Sequence, residues 1–129
     1  MKALIILAHG SRKQESNQEI EILTNDVKAL IKRHFDWDIR LQFSIVDYAF
    51  LEIAEPSLTN SIEKLVSKNI SEITIFPYFL NSGIHIKSDI PNIVKSARTK
   101  YPDCKFNLSP PIGAYKEMPE LILKHLQSE

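Results

Sequence analysis

"ALIILAHGSRK", Ala3 to Lys13, decides how the rest of this chain is read. The run Ala3 to Ala8 is continuously apolar, as a buried strand is, and it stops abruptly at a histidine, a glycine, a hydroxyl and two cations. Ile20, Leu23, Val27, Leu30 and Ile31 then recur at three- and four-residue spacing, one face of a helix. Strand followed by helix is the motif, and it repeats.

Ile39, Leu41, Phe43 and Ile45 alternate across Ile39 to Val46 as in a strand, and Pro56 suits the first turn of a helix carrying Leu58, Ile62, Leu65 and Val66. Ser71 to Phe76 is apolar and β-branched; after a long loop, Ile90, Ile93, Val94 and Ala97 return to helical spacing. Cys104 to Leu108, "CKFNL", reads as a short fourth strand. A final helix opened by "KEMPE" carries Met118, Leu121, Ile122, His125 and Leu126. This order predicts an α/β fold, one domain over residues 1–129, with a central, mostly parallel four-stranded sheet flanked by helices on both faces. Ligands of such sheets bind at the carboxyl ends of the strands, so the loops after Ala8, Val46 and Phe76 are the candidates.

The 129 residues are 43% hydrophobic and 25% charged, suited to one hydrophobic core. Sixteen basic and sixteen acidic side chains cancel, which removes the global field that nucleic acid or an anionic membrane would select. Cys104 is the only cysteine, excluding an internal disulfide and a cysteine-built zinc site. The apolar run at the start is too short for a secretory signal core, and no stretch is long enough to span a bilayer, so a cytoplasmic protein is expected. With three glycines, the chain holds neither a dinucleotide fingerprint nor a phosphate-cradling loop, and no nucleophile elbow supports acyl transfer.

Of the four histidines, His34 and His125 continue helical apolar stripes and read as packing residues. His9 directly follows a buried strand beside Gly10, and His85 lies in "FLNSGIHIKSDIP", the loop after the third strand. The second loop, "YAFLEIAEPSL", adds Glu52 and Glu55. Two imidazoles and a carboxylate suit a divalent transition metal such as Co, Ni, Fe or Zn, while Mg or Ca prefers oxygen ligands throughout. The residues alone point to a metal or an acid–base site, with Arg12, Lys13 and Lys87 flanking it as solvated charges or as contacts for an anion.

Four segments together resemble the short, single-domain sirohydrochlorin chelatases, including the cobaltochelatases of cobalamin synthesis. They are "LAHGSR", "FLEIAEPSL", "IFPYFLNSGIHIKSDIP" and "PIGAY", and the resemblance covers nearly the whole chain. It implies half of the two-domain chelatase fold, pairing of two chains as a homodimer, and insertion of a divalent metal into a heavily carboxylated tetrapyrrole. Cobalt is the expected metal, with nickel or iron as alternatives, and no cofactor is expected beyond that substrate ion. His9 and His85 match the metal-binding histidines, and His9 also matches the proton acceptor. Glu55 matches the acidic residue near the macrocycle, and Leu80, Asn81, Ser82, Gly83, Ile84 and His85 match the loop that lines it. Glu52 lies close in sequence without an assigned role. Backbone N–H groups of "NSGIH", with Arg12, Lys13 and Lys87, are suited to the macrocycle's carboxylates. Some relatives carry a histidine-rich segment between "DIP" and the last strand, and this chain lacks it.

Two rival functions remain at this level. A metal or tetrapyrrole carrier would use the same histidines without turnover. A phosphoryl-transfer enzyme would use His9 as nucleophile beside Arg12, but no second arginine and histidine pair completes such a site.

Overall fold

Lys2–Ala8 forms the first strand, β1, and it is hydrogen-bonded on both sides, which explains its uninterrupted apolar run. In this computed structural model, residues 1–33, 43–81 and 83–127 are described, 84–86 of them by backbone alone. The chain continues through α1 (Gln14–Arg33), β2 (Ile45–Phe50), α2 (Leu58–Ser67), β3 (Glu72–Pro77), α3 (Ile84–Lys100), β4 (Lys105–Leu108), a short 3-10 turn (Ile112–Ala114) and α4 (Met118–Gln127).

The sheet order is β2-β1-β3-β4, and every neighbouring pair is parallel. The chain therefore winds one way from β1 to β2 and the other way through β3 to β4. The winding reverses between β1 and β3, and the loops that leave those two strands part to opposite faces, opening a crevice at their carboxyl ends.

Each face has its own core. Ala3, Ile5, Leu7, Ala49, Ile73 and Ile75 from the sheet pack with Leu58, Ile62 and Leu65 of α2 and Ile90, Val94 and Ala97 of α3. Leu65 and Ile75 are 0% exposed, and full burial of such a side chain stabilises by about 1.5–3 kcal/mol. On the opposite face α1 brings Ile20 onto Ala8 and Phe50. Thr24, buried in α1, satisfies its hydroxyl by donating to the Ile20 carbonyl at 2.8 Å.

Three boundaries differ from the sequence reading. The second strand runs from Ile45 to Phe50, not from Ile39 to Val46; Ile39 and Leu41 lie outside the described residues, as does His34. As an edge strand, β2 tolerates half-buried Asp47 and Tyr48, which interrupt the apolar pattern and disguise its second half. Pro56 precedes α2 rather than opening it: Ser57 is the N-cap, its hydroxyl accepting the Asn60 N–H, and the Glu55–Pro56 peptide is cis.

α3 begins at Ile84, so His85 belongs to its first turn and not to a loop. Pro91 lies inside this helix and removes one donor, but Ile90 and Val94 on either side are both 1% exposed, and their packing holds the segment helical. The stripe on α4 does not reach a core: Leu121, Ile122, Leu123 and Leu126 are 56–62% exposed, and His125 is exposed beside them. No described helix is long and apolar enough to cross a membrane.

Candidate active site at the strand ends

β1 ends at Ala8, and the next residue, His9, stands at the reversal of the sheet with its side chain half exposed. β2 ends in register with it, Ala8 opposite Phe50, and the ladder continues past both strands: Leu51 N–H donates to Ala8 O at 2.8 Å and Glu52 N–H to His9 O at 3.1 Å. Glu52 is thereby carried alongside His9, and its Oε1 lies 2.8 Å from His9 Nε2.

Two backbone features hold this pairing. Gly10 adopts φ +99, and a Cβ there would sit 1.9 Å from the Glu52 carbonyl oxygen, so only glycine admits both the conformation and the approach of the second loop. Ala54 N–H donates to Glu52 O at 2.8 Å across Ile53, which is held at φ 72. A β-branched residue at positive φ costs on the order of 1–3 kcal/mol, and such strain is concentrated at functional loops.

The remaining "HGSRK" residues are braced at the entry to α1. The Asn17 side chain clasps Ser11, accepting its N–H at 3.0 Å and donating to its carbonyl at 2.8 Å, while the Ser11 hydroxyl accepts the Lys13 N–H at 3.0 Å. Arg12 is exposed on this side of the crevice, and Lys87 is exposed on the first turns of α3 on the other.

Glu55 points elsewhere. Its Oε2 accepts the Ser57 N–H at 3.2 Å at the entry to α2, and its side chain lines a groove of about 560 Å³ with Ser11, Arg12, Asn17, Glu21 and Tyr48. Burial, with Glu21 and Asp47 nearby, raises the Tyr48 phenol above its ordinary value.

The third loop contributes Phe79, buried in the main core, whose ring meets His9 edge to face at 6.2 Å and 79°. Leu80 and Asn81 follow at the surface, Gly83 caps α3, and Ser82 and the side chains of Ile84 and His85 lie outside the described residues. Among the described residues no three His, Cys, Asp or Glu side chains gather as a metal site; His9 is paired with Glu52. Sequence reasoning named His9 but left Glu52 without a role, because ending β2 at Val46 moves Glu52 far out into a loop. The missed signal is the continuous "IVDYAF", which brings Glu52 level with His9.

A parallel α/β sheet with an imidazole–carboxylate pair at its reversal point defines a class: open α/β proteins whose small ligand sits at the strand ends. Within that class, a family model described as CbiX matches residues 3–129. Sirohydrochlorin cobaltochelatase of Priestia megaterium is 32% identical over 127 residues, covering 98% of this chain and 38% of the relative. The protein of that name from Sulfolobus acidocaldarius is 33% identical over 122 residues, covering 95% and 87%. Sirohydrochlorin ferrochelatase of Bacillus subtilis is 24% identical over 126 residues, covering 98% and 44%. A solved CbiX protein from Marinobacter aquaeolei VT8 shares the fold, with a TM-score of 0.77, 22% identity, and coverage of 99% and 96%. The chain belongs to the CbiX family of sirohydrochlorin chelatases. It spans less than half of the Priestia and Bacillus relatives and most of the Sulfolobus one.

Proposed function

We propose that this chain inserts a divalent metal ion, cobalt first among the candidates, into sirohydrochlorin. The observation that carries the reading is the His9–Glu52 pair at the reversal of the sheet, in a family whose similar members are named for this substrate. Imidazole and carboxylate suit cobalt, nickel and iron alike; cobalt ranks first because the more similar relatives carry that name, and iron second because the Bacillus relative is a ferrochelatase.

The charge balance of insertion fits two bases. The ring gives up two pyrrole N–H protons and takes one divalent ion. As the ion leaves, the His9 imidazole and the Glu52 carboxylate are vacated, and each accepts one proton before solvent removes it. His85, in the first turn of α3, is assigned as a further ligand from across the crevice. Glu55, Arg12, Lys87 and the Leu80–His85 segment are assigned to the macrocycle, whose carboxylates suit the cations and the amino end of α3.

Two chains make the complete enzyme in this reading. The longer relatives hold more than twice the length of this unit, and α4 leaves Leu121, Ile122, Leu123 and Leu126 in solvent, an apolar face that a second copy would bury about a two-fold axis. A reducing cytoplasm suits the single buried thiol of Cys104.

The test is anaerobic absorbance of sirohydrochlorin with Co, Ni or Fe ions, comparing wild type with a His9→Ala, His85→Ala double variant and with no protein. Multiple turnovers that depend on the histidines establish the chelatase and rank its metals; binding without acceleration retires it in favour of a carrier.

A further inference from the structure

We propose that the Pro111–Tyr115 turn, acting through Gly113 and Phe79, is the positioning element that aims the His9 imidazole into the crevice. The inference rests on the reading of His9 as the group that handles metal and protons.

The turn reaches the third loop by direct backbone contact. Gly113 N–H donates to the Phe79 carbonyl at 3.0 Å. A Cβ on Gly113 would stand 2.0 Å from Leu80 O, 2.6 Å from its carbonyl carbon and 2.7 Å from its Cα, all backbone atoms that no rotamer change removes. Gly113 is not in the left-handed region, unlike Gly10, so its glycine answers to proximity alone.

The turn is itself tied to the sheet. Ser109 N–H extends the β3–β4 ladder by donating to Ile75 O at 3.0 Å, the Tyr115 and Ser109 hydroxyls are hydrogen-bonded, and the Tyr115 ring lies 5.8 Å from that of Phe76. A braced turn thus presses on the peptide that carries Phe79, and the Phe79 ring meets His9 edge to face. Among the described residues two contacts set the His9 ring: the Glu52 carboxylate, which draws Nε2, and Phe79, which fixes the tilt. Alanine at 113 must drive the Leu80 carbonyl from 2.0 Å to beyond 3.0 Å, and the adjoining Phe79 moves with it.

The experiment records the His9 Cε1–H resonance by NMR at one fixed pH in wild type, Gly113→Ala, Phe79→Leu and, as control, Lys95→Gln at an exposed position of α3, alongside metallation kinetics. We expect both test variants to displace the His9 resonance. We also expect kcat to fall roughly 10- to 100-fold, as misplacement near 1 Å does, with KM for the tetrapyrrole little changed. Lys95→Gln should behave as wild type. A folded Gly113→Ala protein with the wild-type His9 resonance and kcat overturns the proposal, and so does an unmoved His9 in Phe79→Leu. Should Gly113→Ala fail to fold, Phe79→Leu decides alone. If wild type itself does not metallate, the chelatase reading falls while the NMR comparison still decides the clamp.

Discussion

Replacing Gly10 by alanine should damage fold and site together, by an amount the local geometry sets. Alanine at φ +99 leaves the favourable region at a cost of about 1–2 kcal/mol. Its Cβ would start 1.9 Å from Glu52 O and 3.1 Å from the carbonyl carbon, so the second loop must retreat by more than 1 Å, an overpacking penalty of about 1–3 kcal/mol that includes the Glu52 N–H to His9 O bond. Lower entropy of the unfolded chain returns about 0.4–1 kcal/mol. The net is about 3 kcal/mol. At an unfolding entropy of about 2.1 cal/mol/K per residue over 129 residues, Tm should drop by roughly 11 °C. Calorimetry measures the drop, and anaerobic metallation below the transition measures the separation of Glu52 from His9, which should cost at least tenfold. A Tm within about 2 °C of wild type with full activity would refute the claim that Gly10 is required by the Glu52 carbonyl.

Glu52→Gln should separate function from stability: both partners of the ion pair are half exposed, so unfolding free energy should change by less than about 1 kcal/mol, while cobalt affinity by titration should fall roughly 10- to 100-fold. Burial, then the charge of Glu72, raises the Cys104 thiol above its ordinary value of 9.0. The folded state therefore holds that proton more tightly, and its contribution to stability is complete below pH 9.0 and lost as pH rises through the folded value. Urea unfolding from pH 8 upward should show the decline in wild type and a shallower one in Cys104→Ala. If α4 pairs two chains as proposed, wild type should sediment as a dimer and Leu121→Asp with Ile122→Asp as a monomer with the wild-type far-UV spectrum, since both side chains are exposed within one chain; a wild-type monomer would refute the pairing, and a variant dimer would move it off α4.

Much of the fold was legible because its signals are local. The apolar run of β1, the periodicity of α1 and α2, and the placement of His9 at a strand end each depend on residues within one or two turns of one another. The misread boundaries share a cause: β2 is an edge strand with Asp47 and Tyr48 half in water, and α3 contains Pro91, so local propensity argues against elements that long-range packing stabilises. The α4 stripe was legible as a helix, but a pattern of leucines does not state whether its partner lies in the same chain.

By itself, the sequence determined that the chain is an alternating α/β unit, and it offered histidines and carboxylates after the strands as candidates. Only the tertiary structure decided which carboxylate. Glu52 and Glu55 are three residues apart and chemically equivalent on paper, yet the parallel ladder past β1 and β2, closed against Gly10, turns Glu52 to His9 and leaves Glu55 at the entry to α2. The physical reason is that a pairing across 43 residues is set by hydrogen-bond register and by the space a missing Cβ leaves, neither of which is a property of the local sequence.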